Sequence, residues 1–341
     1  MSVGIGAVGR LPLQGYLSYN AHQRLLGLGF MPDIVVMFFL LGLVAGVVRS
    51  DLKIPKAAYD TLSLLLMLTI GLKGGMALYG NLDASLLPAL LTFMAIGGCI
   101  PLLLFPILRK LVGLNLEDSA SIAAHYGSVS AGTFAVALAY VEARELAFAP
   151  EVTLYLVAME LPAIIVGLLL YRRFQVSGPV QPTMAQLWHE AFTNRGVILL
   201  LGGVIIGVMY GPIQGAAVTD LYTGAFKAVL ALFLLEMGLV AAETLRPFPW
   251  QQWRLLAFAL LAPPVLAIAG IVAGKLLGLS EGTTVILASL TASASYIAAP
   301  AAIKGAIPSA NIGLAMLASL GLTFPLNVIF GIGFYHTLIL L

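Results

Sequence analysis

The chain has 341 residues, of which 60% are hydrophobic and 9% charged, with a formal net charge of +2 and a mean hydropathy of +1.02. A soluble domain does not carry so much apolar surface on so few charges, and the composition describes a polytopic membrane protein. The sequence offers no basic patch interleaved with aromatics for nucleic acid, and the single cysteine, Cys99, excludes an internal disulfide, a thiolate metal cluster and a CxxC redox pair.

The apolar runs are long and continuous where an outer-membrane barrel would alternate, so the spans are helical. Residues 1–30 lack a charged start, an apolar core and a small-residue cleavage site; they read as an interfacial N-terminal tail. Spans follow near 32–48, 57–79, 84–108, 118–141 and 151–171, then 196–215, 219–243, 253–278, 282–303 and 309–340. The connections between them are short and no soluble domain is inserted. The longest, 173–195, carries Ser177-Gly178-Pro179 and Gln181-Pro182 and separates a first half, 31–172, from a second, 196–341.

The halves repeat each other in order. Gly42 and Gly46 correspond to Gly203 and Gly207, Gly71-Leu72 to Gly238-Leu239, Ser128-Val129-Ser130 to Ser293-Ala294-Ser295, and Pro162 to Pro325. Because each half holds five spans, the second must cross the membrane upside down relative to the first, and inverted repeats supply the two equivalent states of alternating access. The expected fold is therefore all-α: ten transmembrane helices in a five-plus-five inverted repeat with broken fourth and ninth helices. Arg49, Lys53, Lys56, Arg109, Lys110, Arg172, Arg173, Arg195, Arg246, Arg254 and Lys304 gather on one side, against six cations elsewhere. That side is predicted to be cytosolic, with both termini outside.

Two weakly hydrophobic stretches carry the chemistry, His125 to Thr133 in the fourth span and Thr291 to Pro300 in the ninth. Small hydroxyl residues, Gly and Pro break a helix, and lipid tolerates the freed backbone groups only where they face protein or a watery cavity. A break near mid-membrane offers a half-helix N-terminus that attracts an anion, while hydroxyls and freed carbonyls suit a small hard cation. Close helix packing also uses small residues, but two such stretches at corresponding places favour a solute site. The candidate substrate contacts are Gly127, Ser128, Val129, Ser130, Ala131, Gly132, Thr133, Ser293, Ser295, Tyr296 and Ile297, with Ser130, Thr133, Ser293 and Ser295 as candidate sodium ligands. Ionisable groups inside apolar runs are Asp60, Lys73, Glu160, Lys227 and Glu236. Glu236, Glu160 and His125 are the coupling candidates, with a structural pairing of Glu236 to Lys227 or Lys73 as the alternative.

Gly71-Leu72-Lys73-Gly74-Gly75-Met76-Ala77, Gly127 through Thr133, Met159-Glu160-Leu161-Pro162-Ala163, and Pro300 with Lys304-Gly305-Ala306-Ile307-Pro308-Ser309-Ala310-Asn311 give the chain, from 32 to 340, a resemblance to the sodium-dependent bicarbonate transporters of the cyanobacterial type. The resemblance implies a core and a gate domain, a trimer, bicarbonate import with sodium into a bacterial cell across its inner membrane, and a small cytosolic regulatory protein docked inside. Where that family carries Ser, Gly132 stands here, and where it carries Asp after a Ser triplet, Tyr296 stands. The compensating negative charge expected beside a cation is thus missing, and a proton- or other-cation-coupled carrier of a small carboxylate or other anion is the alternative.

Enzyme motifs are absent from the sequence: there is no HExxH, no Asp-rich metal pair and no phosphate loop. An intramembrane hydrolase built on Ser130 and His125 is the third reading, but those residues lack an orienting acid. The expectation is a carrier without a resident cofactor.

Overall fold

The computed structural model describes residues 33–175 and 195–341, except 81, 82, 85 and 247, together with 185, 189 and 193. The N-terminal tail and most of the middle connection lie outside the described residues. Among the described residues every regular element is helical. The helices are α1 (Ile34–Val47), α2 (Lys56–Leu78), α3 (Leu86–Ile107), α4 (Leu116–Gly127), α5 (Ala131–Ala143) and α6 (Val152–Phe174). Then come α7 (Arg195–Gln214), α8 (Ala216–Thr244), α9 (Trp253–Leu276), α10 (Glu281–Thr291), α11 (Ala298–Ala306) and a last rod, α12 (Ile312–Leu340).

Among the described residues eight segments are long and apolar enough to cross a membrane, α4 and α5 together forming one of them, Leu116–Ala143. Two of the ten expected spans, the first and the ninth, hold no single segment of that length. The first is a helix of 14 residues, and the ninth is divided into helices of 11 and 9 residues around Ala292–Ile297.

The most apolar window of Leu116–Ala143 is wholly buried, whereas only 33% of that in Leu86–Val112 is. The fourth span is therefore enclosed by protein, while α3 presents side chains such as Leu103 outward, as a lipid-facing helix does. The helices pack in two groups. In one, α2 packs along α7 and α1 along α8; in the other, α3, α4 and α6 pack together, and α9, α10 and α12 do likewise.

Glycine makes the first group's contacts close. A Cβ on Gly203 would stand 2.8 Å from the Leu68 carbonyl oxygen of α2, and one on Gly71 would stand 2.5 Å from the Leu200 oxygen of α7. Gly42 of α1 and Gly238 of α8 meet backbone of each other's helix in the same way. Backbones approach this closely only where side chains are missing.

Local chemistry explains the ends of α4. Asn115 caps it by accepting from the Asp118 amide at 2.7 Å, with Glu117 and Asp118 in the positive first turn. Asp118 then accepts from the Asn311 amide at 2.7 Å, fixing the start of α12. Within α12, Leu317–Thr323 and Asn327–Gly331 adopt wider π-type turns, a feature that often marks functional segments.

Candidate functional site

Helix α4 stops at Gly127 and α5 begins at Ala131; Ser128 and Ser130 between them are extended. Helix α10 stops at Thr291 and α11 begins at Ala298. These two interruptions touch. The Ser295 amide donates to the His125 carbonyl at 2.7 Å and to the Ser128 carbonyl at 3.2 Å. In the other direction the Ser130 amide donates to Ser293 Oγ at 2.9 Å. Each interruption thus supplies a serine amide that the other accepts, which answers the question of where freed backbone groups go in a non-aqueous interior.

The serine side chains are occupied as well. Ser130 Oγ accepts from the Thr133 amide at 3.0 Å, capping α5, and Ser295 Oγ accepts from the Ala299 amide at 3.1 Å at the start of α11. Ser293 Oγ donates to the Leu290 carbonyl at 2.8 Å while it accepts from Ser130. The amides of Ala131 and Gly132, first in α5, bond to no other described residue. They are the free donors that a helix N-terminus directs at an anion.

Around this crossing several buried polar atoms have no hydrogen-bond partner among the described residues: Ser128 Oγ, Thr133 Oγ1, the Tyr296 hydroxyl and His125 Nε2. Native interiors seldom leave such atoms unpaired without a reason. The other ring nitrogen of His125 is held by the Ser121 carbonyl at 2.7 Å. Tyr296 lies close to Ser130 without reaching hydrogen-bond geometry. Its ring meets Phe324 edge-on, centroids 5.2 Å apart, and Phe324 meets Phe39 of α1 at 5.6 Å. Phe233 of α8 stacks on Tyr59 of α2 at 5.9 Å and comes up against Gly132. An aromatic wall contributed by α1, α2, α8 and α12 thus closes one side of the crossing.

The expected substrate contacts therefore fall in one place, Val129, Ala131 and Gly132 among them, all buried. Ile297, also expected there, is partly buried at the entry to α11. The coupling candidates do not gather. Glu160 of α6 is buried, 6% exposed, and its Oε2 has no partner. It shares a stripe of α6 with Ala163, which packs on Gly127, and with Gly167, which packs on Ala124. Glu236 is partly buried on α8. It pairs with neither Lys227 nor Lys73 among the described residues. Lys73 is held instead by Glu142 of α5 at 2.6 Å, over the Phe226 ring.

Sequence reasoning missed Asn327. Wholly buried in α12, it donates from Nδ2 to the Ala292 carbonyl at 2.8 Å and accepts at Oδ1 from the Tyr335 hydroxyl at 2.6 Å. It satisfies a carbonyl that the end of α10 leaves free, and a lone amide side chain inside an apolar run was the signal available. Tyr126 is a second such tie: its hydroxyl bonds Thr323 Oγ1 at 2.7 Å, and that hydroxyl donates to the Ala259 carbonyl at 2.9 Å.

What the arrangement can do is hold a small, singly charged oxyanion against neutral donors, with hydroxyl and carbonyl oxygens at hand for a hard cation. Among the described residues no group of three or more His, Cys, Asp or Glu could hold a metal. A family model described as the Na+-dependent bicarbonate transporter superfamily matches residues 34–340. No curated protein matches the chain.

Proposed function

We propose, from the premise that this chain belongs to the Na+-dependent bicarbonate transporter superfamily, that it imports bicarbonate together with sodium by alternating access, through the crossing of the two interrupted spans. The observation that carries the reading is the reciprocal bonding of Ser130 to Ser293 and of Ser295 to Ser128, because it joins two helix breaks at corresponding places of the two halves. Packing supports the five-plus-five inverted repeat: exchanging the halves turns the α1–α8 pair into the α7–α2 pair, and both are glycine-lined. The remaining helical spans are matched in the same order, with the divided α10–α11 corresponding to α4–α5.

Ser130, Thr133, Ser293 and Ser295 are the proposed sodium ligands, through oxygens that are neutral. The proposed setting is a bacterial inner membrane with Arg172 and Arg173 cytosolic and both termini outside. A homotrimer and a small cytosolic regulatory partner are further proposals that rest on the family. Uptake of labelled bicarbonate into proteoliposomes, with and without an inward sodium gradient, tests the reading; uptake indifferent to sodium overturns the coupling, and no uptake overturns the solute.

One observation favours a second reading. Among the described residues the one buried carboxyl without a hydrogen-bond or ion-pair partner is Glu160 of α6, and the position beside the serines is a phenol. An intramembrane carboxyl without a cation partner is a candidate proton carrier. Coupling to protons, with a small carboxylate as solute, is the alternative, and a pH gradient in the same proteoliposomes distinguishes it.

A further inference from the structure

Gly132 lies in the first turn of α5, and a Cβ added there would run into the Tyr296 hydroxyl oxygen. The next atoms met would be Phe233 Cε1 at 3.2 Å and Phe324 Cε2 at 3.3 Å. The ring carbon that bears the hydroxyl is no nearer than these. A single oxygen atom therefore fills the space a side chain at 132 would take, in the same first turn of α5 whose Ala131 and Gly132 amides are free. That oxygen is buried, on a residue 6% exposed, and it has no hydrogen-bond partner. A buried phenol hydroxyl normally finds one.

We propose that the Tyr296 hydroxyl, seated over Gly132, is the specificity-determining contact for the solute: it donates to a small monoanionic oxyanion held at the first turn of α5. This rests on the transport reading above. The charge class follows from what surrounds the seat. The helix end offers a partial positive charge of about +0.5, and the hydroxyls of Ser128, Thr133 and Tyr296 are neutral. No Lys or Arg side chain bonds to the crossing among the described residues. With the one sodium proposed above, such a site offsets little more than one negative charge, and a dianion would remain partly uncompensated in a desolvated interior.

The test is a double-mutant cycle on the full-length protein with two readouts, thermal unfolding in detergent and saturable bicarbonate uptake in proteoliposomes. Tyr296→Phe should unfold like the parent, keep its maximal rate and raise KM by about tenfold, as expected for losing a hydrogen bond to a charged partner. Gly132→Ala should lose both stability and uptake, because the added methyl displaces the phenol. Gly132→Ala with Tyr296→Phe should regain most of the parent's unfolding temperature, since the hydroxyl is the severe collision and the Phe233 and Phe324 ring edges need give only a few tenths of an ångström, yet keep the raised KM of Tyr296→Phe. Sulfate in excess should not compete with bicarbonate.

An unchanged KM in Tyr296→Phe, while the parent transports, overturns this inference and leaves the transport reading standing. So does a double variant with the parent's KM, which would make the hydroxyl a space-filler, or one no more stable than Gly132→Ala. Competition by sulfate as strong as by bicarbonate overturns the charge class. A parent with no saturable bicarbonate uptake overturns the transport reading and this inference with it.

Discussion

The Ser130 amide donates to Ser293 Oγ at 2.9 Å across 163 residues of sequence, joining the break between α4 and α5 to the break between α10 and α11. Both groups are buried, so neither has water as an alternative partner. Ser293→Ala should leave the Ser130 amide unsatisfied at a cost of about 1–3 kcal/mol. Ser293→Thr, which keeps a hydroxyl, should cost less. Equal unfolding temperatures for Ser293→Ala and the parent would show that this bond holds nothing together.

Glu160 presents a different case, since no partner is lost when its charge is removed. Glu160→Gln should fold with the stability of the parent to within about 1 kcal/mol, because an isosteric amide breaks no pair. If Glu160 carries the coupled charge, the same variant should exchange labelled bicarbonate across the membrane yet lose acceleration by the cation gradient. Gradient-driven uptake as fast as the parent's would exclude Glu160 from coupling.

The Lys73–Glu142 pair joins α2 of the glycine-packed group to α5 of the crossing, with both side chains about a quarter exposed. An ion pair of that exposure contributes on the order of 0.5–1 kcal/mol. Lys73→Met or Glu142→Gln should therefore lower the population of the described conformation two- to fivefold or so relative to its alternatives. Reagent accessibility of a cysteine placed at Thr133, in a variant lacking Cys99, would register the shift. Exchanging the two charges should reverse it, and accessibility unaffected by either single change would deny the pair a conformational role.

Close backbone contact between α2 and α7 predicts intolerance of small additions. Gly203→Ala places a methyl 2.8 Å from the Leu68 carbonyl oxygen, and overpacking of this kind costs about 1–3 kcal/mol. Gly202→Ala, one position away and facing open space, is the control and should be silent. Thermal unfolding of the two variants side by side decides the matter.

Sidedness is testable by labelling. Cysteines near Gly178 should react only from the cytosol and those near Leu341 only from outside, once Cys99, which is exposed, has been replaced. The reverse pattern would overturn the argument from Lys and Arg.

Membrane class, helical architecture and the places where two helices break were legible in the sequence, because each is set by local properties. Apolar run length dictates spans, and Ser, Gly and Pro weaken helix wherever they cluster, as at Gly127–Gly132 and Ser293–Pro300. The tertiary structure decided what those breaks meet. Asn327 closes the Ala292 carbonyl from α12, Phe39 and Phe233 wall the crossing from α1 and α8, and Lys73 chooses Glu142 over Glu236. Gly132 and Tyr296, two separate substitutions in the sequence, are one steric unit in space. None of these pairings leaves a periodicity or a spacing in the chain, because hydrogen bonds and excluded volume act between atoms that only the packing of distant helices brings together.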